Sequence, residues 1–200
     1  MMNPYDNEDV RQLNFKLGHI GEQIVRKEIN RFDGYSTVKA EFICPDYKIF
    51  ISGKLAGFAE VKVQKMRYLL SGNRALGYSF KSATIDNYRK FNTPQTPLEF
   101  YVVDPVAKTV FWDFFSELER EREINGAIFP FDQYAKLFDG EAHHWHISQF
   151  RYRFPISDTD ADALRDTIEA RDKIISGIQD KRVDELRERR MNTYDNYPPF

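Results

Sequence analysis

A single cysteine, Cys44, in a chain of 200 residues leaves no material for an internal disulfide framework or a multi-cysteine zinc site. Long apolar runs are missing too, since none approaches the roughly 20 residues that a bilayer-spanning helix needs. The opening segment MMNPYDNEDV is polar and acidic, where a secretory leader is basic and then apolar. The expectation is a soluble, cytoplasmic protein in a reducing compartment, with no membrane partner. An overall excess of positive charge is also lacking. The formal net charge is −2, which does not suit a protein that grips phosphates with its whole surface. Internal repeats and low-complexity segments are absent as well.

What the chain does contain is a hydrophobic fraction of 42% and an aromatic fraction of 15%, enough for a substantial core and too much for wholesale disorder. Its length fits one domain with appendages. The expected division is a core over residues 1–155 with inserted strand and loop elements, followed by a charged helical extension and irregular tail over 156–200. Charge is distributed unevenly. Between Val61 and Phe91, Lys62, Lys65, Arg67, Arg74, Lys81, Arg89 and Lys90 stand against Asp86 alone, while the acids gather in the C-terminal third. Such a run is either a solvated face or a phosphate-binding one.

Periodicity suggests a helix from about Asn14 to Phe32, with Gly18, Glu22, Val25 and Ile29 on one stripe. YSTVKAEFIC, KIFIS and GFAEVKVQ read as three strands, the last two joined by a turn at Gly53. Residues 65–80 read as a loop. A second helix is expected over 82–92 with Ser82 as its N-cap. LEFYVVD and TVFWDFF are strands, 116–140 helix and loop, and 144–154 one further strand. Residues 158–190 form one or two charged helices, interrupted at Gly177 if two. The result is a mixed α/β domain.

On the third strand the period of two puts Phe58, Glu60 and Lys62 on one side and Ala59, Val61 and Val63 on the other. An acid and a lysine thus emerge together from an otherwise apolar strand, where desolvating each charge costs several kcal/mol unless compensated. Asp46, at the start of the preceding strand, comes beside them if the two strands pair as a hairpin. Glu22 adds a third carboxylate from the first helix. Acids that converge raise one another's pKa, and a divalent cation relieves that conflict. Oxygen ligands of this kind suit Mg2+, with Mn2+ able to substitute. A neighbouring lysine can orient a water or offset charge on phosphorus. This is a coherent set for phosphodiester hydrolysis.

Pro45-Asp46, followed by Glu60-Val61-Lys62, resembles the two motif elements of the PD-(D/E)XK nuclease superfamily. Glu22, in LGHIGEQIV, resembles the acid that many members carry on the first helix. The resemblance covers roughly residues 14–115 and is nearest in layout to archaeal Holliday-junction resolvases and small homing endonucleases. It implies a restriction-endonuclease-like αβββαβ core with a mixed central sheet, and metal-dependent endonuclease action on DNA, often by a homodimer. It also implies Asp46 and Glu60 as metal ligands, Glu22 as a third acid and Lys62 as the catalytic lysine. Gln64, Lys65, Arg67, Arg74, Lys81 and Arg89 are the candidates for nucleic-acid contact. The alternative is a catalytically silent nucleic-acid-binding or inhibitory protein on the same fold. His144 and His146 would share a strand face, but no partner cysteine supports a zinc site there. Cys44 reads as a small apolar side chain rather than a nucleophile.

Overall fold

A computed structural model describes residues 4–41, 44–68, 76–120, 122–124, 127–129, 135–137 and 140–194. The first helix, α1 (Glu8–Ile29), is capped by the Asn7 side chain, which accepts from the Val10 amide at 3.2 Å. A meander of β1 (Tyr35–Lys39), β2 (Tyr47–Ile51) and β3 (Lys54–Val63) follows. Two short elements, β4 (Arg67–Tyr68) and β5 (Leu76–Lys81), lead into α2 (Ser82–Arg89), then β6 (Leu98–Asp104) and β7 (Thr109–Phe114). The rest comprises α3 (Phe115–Leu118), β8 (Arg122–Ile124), β9 (Ala127–Phe129), β10 (Ala135–Leu137), β11 (Gly140–His146), β12 (Tyr152–Pro155) and α4 (Asp158–Tyr194).

The central sheet has six strands in the order β1-β2-β3-β6-β7-β12, parallel at β3–β6 and antiparallel elsewhere. It is therefore a mixed sheet in an α/β protein. Ser52 and Gly53, both with positive φ, make the two-residue turn between β2 and β3, a conformation whose twist matches the strands it joins. The parallel β3–β6 pair requires a crossover, which β4, β5 and α2 supply.

Both faces of the sheet are covered. On one, Leu17, Val25 and Ile29 of α1 and Ala161 and Leu164 of α4 pack on Ala59, Val61, Tyr101 and Val103. On the other lies an aromatic layer in which Phe80, Tyr88, Phe100, Phe115 and Trp145 meet, mostly edge-to-face. A strand buried on both faces reads as a continuous apolar run, which accounts for LEFYVVD at β6. The first turns of α4 thus belong to the same core as α1. No helix among the described residues is long and apolar enough to cross a membrane.

Several sequence-based boundaries change. Residues 76–81 are strand rather than loop, because β5 pairs with β11 in a second sheet of order β10-β11-β5-β4. The described residues of 116–140 are helical only as far as Leu118 and then form short strands at 122–124, 127–129 and 135–137. Residues 144–154 are not one strand. His146 and Gln149 form a reciprocal capping box around a short helical turn over Ile147–Gln149, and the chain changes sheets there. Lys81, not Ser82, stands at the N-cap position of α2, and its side chain makes no capping hydrogen bond. Gly177 does not interrupt α4.

The α1–β3 contact is close. The buried stripe of α1 runs through Leu17, Gly21, Val25 and Ile29, with Glu22 on its border. A Cβ at Gly21 would lie 2.5 Å from Val63 Cγ2, a branched and stiff side chain. Gly21→Val is expected to lower unfolding stability by about 1–3 kcal/mol, the range for overpacking a core. Denaturant melts check this, and an unchanged midpoint would contradict the packing described.

Candidate active site

The site forms where β2 ends and β3 continues. The β2–β3 pairing terminates at Tyr47↔Ala59, so beyond it the outward amide of Val61 has no strand to meet. Asp46 Oδ2 accepts that amide at 2.8 Å. The carboxylate therefore completes the ladder where backbone is missing, and this fixes Asp46 beside β3. The Cys44–Pro45 peptide that precedes it is cis.

Glu60 and Lys62 project together, as the strand period predicts, into the aromatic side of the sheet. Glu60 is only 1% exposed. Its Oε1 accepts from the Lys62 ammonium and, at 2.8 Å, from the Tyr88 hydroxyl. The Lys62 ammonium also lies 5.8 Å from the Tyr88 ring centroid. The other oxygen, Oε2, is buried and has no hydrogen-bond partner among the described residues. An unsatisfied buried carboxylate oxygen is costly, so its burial calls for an explanation.

Glu22 approaches from the opposite face. Its Oε2 lies 2.5 Å from the Lys39 ammonium, which is also 3.5 Å from Asp46 Oδ1. The Tyr47 hydroxyl donates to the same Glu22 oxygen at 3.4 Å. Glu60 and Lys62 are thus in direct contact, Asp46 is tied to the Val61 amide between them and is acted on by both charges, and Glu22 reaches Asp46 through Lys39. Among the described residues there is no group of three or more His, Cys, Asp or Glu side chains that could hold a metal ion. Asp46 and Glu60 are two carboxylates whose charges act on each other.

Electrostatics record the crowding. Burial, then the Glu60 charge, pushes the Asp46 carboxyl up to about 6, against the lowering effect of the Val61 amide and Lys62. Burial pulls the Lys62 ammonium down, but Glu60 and Asp46 together more than offset it and leave it above its ordinary value. Tyr88 is pushed far up by burial and by Glu60, so its hydroxyl is a donor at any working pH. Burial and Glu22 push Tyr47 up to about 12. Burial and the Glu60 charge also raise the half-buried Cys44 thiol, which keeps it protonated rather than nucleophilic.

The candidates for nucleic-acid contact scatter more widely. Gln64 spends its amide on the Ser79 backbone, with one bond in each direction at 3.0 Å, which ties β3 to β5. Lys65 and Lys81 are exposed. Arg67 begins β4, and Arg74 lies outside the described residues. Arg89 pairs with Asp86 and Glu119 at the far end of α2. Of the histidines, His146 accepts from the Ser148 amide and caps the helical turn. Lys39, Tyr47 and Tyr88 belong to the site although the motif reading did not place them in it. The hairpin register Lys39↔Tyr47 and the helical offset of Tyr88 are the features that bring them there.

No family model, curated protein or solved structure matches this chain. The chemistry of the site is carried by the residues themselves.

The raised Asp46 value has a consequence for stability. Because the folded pKa of about 6 exceeds the ordinary 3.8, the contribution of neutral Asp46 is complete below about pH 4 and is lost as pH rises through 6. Asp46→Asn keeps an oxygen for the Val61 amide but carries no charge. In EDTA at pH 8 it is expected to be more stable than wild type by up to about 3 kcal/mol, with the gap closing below pH 4. Thermal melts across pH check this. A variant that is equally stable or weaker at pH 8 contradicts it.

Proposed function

We propose that the protein is a metal-dependent DNA endonuclease with a PD-(D/E)XK site on a restriction-endonuclease-like core. The observation that carries the reading is Glu60 Oε2, a buried carboxylate oxygen without a partner among the described residues, whose carboxylate acts on Asp46 and shares a strand face with Lys62. The element order α1-β1-β2-β3-α2-β6, with β4 and β5 inserted before α2, agrees with the αβββαβ core of that superfamily.

The donor set fits a hard divalent cation such as Mg2+ or Mn2+. Asp46 and Glu60 would hold it through oxygen. When bound, such an ion polarises a phosphoryl oxygen and acidifies a water. The chain's own groups do the rest. Tyr88 holds Glu60 by Oε1, which leaves Oε2 as the oxygen a cation would take. Lys62 retains 37% side-chain exposure and presents its ammonium to an incoming phosphate, where it offsets developing charge and orients the attacking water. DNA is the proposed partner, to which the exposed Lys65 and Lys81 would contribute positive charge. The largely exposed stretch 172–181 of α4 is the element available for a homodimer contact.

The test is cleavage of supercoiled plasmid, linear duplex and a synthetic four-way junction in Mg2+, Mn2+ or EDTA. Wild type is expected to cut only with metal. Glu60→Ala and Lys62→Ala are each expected to lose about 100-fold or more, since several kcal/mol of transition-state stabilisation are at stake. Equal cutting by the variants in clean preparations overturns the reading. Metal-independent DNA binding with no cutting of any substrate moves it to the silent DNA-binding alternative. Tyr88→Phe is expected to weaken Mn2+ binding about 10–100-fold, the usual loss when the partner that orients a ligand is removed. Calorimetry measures this, and unchanged affinity would remove Tyr88 from its positioning role.

A further inference from the structure

The proposed metal site has two sides of unequal character. On the Glu60 side a buried oxygen lacks a partner among the described residues. On the Glu22 side the two carboxylates share an ammonium. The Lys39 ammonium sits between Glu22 Oε2 at 2.5 Å and Asp46 Oδ1 at 3.5 Å. Its placement is held by several independent contacts. Lys39 is the cross-strand partner of Tyr47 in the last pair of the β1–β2 ladder, so the two side chains share a face. The Lys39 ammonium lies 5.2 Å from the Tyr47 ring centroid, within cation–π range. The Tyr47 hydroxyl donates to the same Glu22 oxygen that Lys39 holds. One hydrogen bond past the ladder, the Ala40 amide donates to the Asp46 carbonyl at 2.9 Å and keeps β1 alongside the Asp46 backbone.

We propose that Lys39 is the built-in second cation of this site, so that the centre takes one divalent ion, on the Asp46–Glu60 side, and not two. This rests on the metal-site reading above. Phosphodiester-cleaving centres with two ions use the pair to clamp the attacking and leaving oxygens. Here the carboxylates that a second ion would need, Glu22 and the near oxygen of Asp46, are already bridged by an ammonium. Within the ion-paired set, Glu22, Asp46 and Glu60 are matched against Lys39 and Lys62, which leaves a single negative charge in excess before Arg26, whose charge also reaches Tyr47, is counted. One divalent ion more than balances that charge. A second would have to settle against a fixed positive charge at contact distance, which is strongly unfavourable in a partly buried site. Lys39 is then a positioning residue for Glu22 and Asp46, and its ammonium is half-exposed.

The experiment counts bound Mn2+ per chain by equilibrium dialysis with electron paramagnetic resonance, on wild type, Lys39→Met and Lys39→Arg, without DNA. Circular dichroism melts establish that each variant is folded. Wild type is expected to saturate at one ion. Lys39→Arg keeps the charge and is expected to stay at one. Lys39→Met keeps the chain length but removes the charge, and is expected to gain a second, weaker ion. Two ions on wild type, or a folded Lys39→Met that still binds one with unchanged affinity, overturns the role of Lys39 and leaves the metal-site reading standing. If Lys39→Met does not fold, the wild-type count still decides. No ion bound by wild type overturns the metal-site reading and this inference with it.

Discussion

Glu60 sits 1% exposed at the edge of an aromatic layer, and the chain arranges several elements around the cost of keeping a carboxylate there. Lys62 follows two residues later on the same face and supplies charge. Helix α2 supplies a hydroxyl, and it can do so only because Tyr88 is wedged against Phe100 and Phe115. Those rings are held in turn by Trp145 on β11, which pairs with β5 in the second sheet. The inserted strands between β3 and α2 are therefore more than decoration. They build the wall that fixes Tyr88, and Tyr88 decides which Glu60 oxygen remains free. The preorganisation of a site of this kind depends on such outer contacts as much as on its carboxylates.

The central sheet separates the charged residues into two groups, and Asp46 joins them. Its backbone ends β2, one of its oxygens replaces the missing ladder partner of Val61, and the other faces Lys39 and Glu22. Glu60 and Lys62 act on it from the far face, as the direction of its pKa shift records. A carboxylate held this way is well oriented and poorly solvated at once. Its position is set by backbone hydrogen bonding, so it cannot move away from the neighbours that raise its pKa.

Much of this was legible in the sequence. The alternation FAEVKV identifies which residues of β3 share a face, and the two-residue turn at Ser52-Gly53 brings Asp46 to Glu60 once the hairpin is assumed. The α1–meander–α2–β6 order also follows from local pattern. What pattern could not supply was the long-range pairing. Residues 76–81 look like part of a glycine-bearing loop until β11, more than fifty residues on, offers them a partner. HWHISQFRYRF looks like a single strand because its residues favour extended backbone, and only the His146–Gln149 capping box breaks it. Glu22 fell on the helix stripe by spacing, yet the close approach at Gly21 shifts that stripe by one residue and leaves Glu22 beside the sheet rather than under it. Lys39 was invisible for a similar reason, because its role is set by register and not by any motif.

The residues that would make the proposed site chemically capable are unfavourable to bury by themselves. Asp46 loses stability on ionising, and Glu60 buries an oxygen that no described residue answers. Neither arrangement serves the core, since a neutral residue of similar shape at position 46 and an apolar one at position 60 would be easier to bury. Surface ion pairs contribute little and need no such geometry. Two unfavourable carboxylates, held side by side by backbone and by a tyrosine, are what a cation-binding centre requires in the absence of its ligand. The local cost of their burial is the physical reason for reading this corner of the sheet as functional and not merely structural.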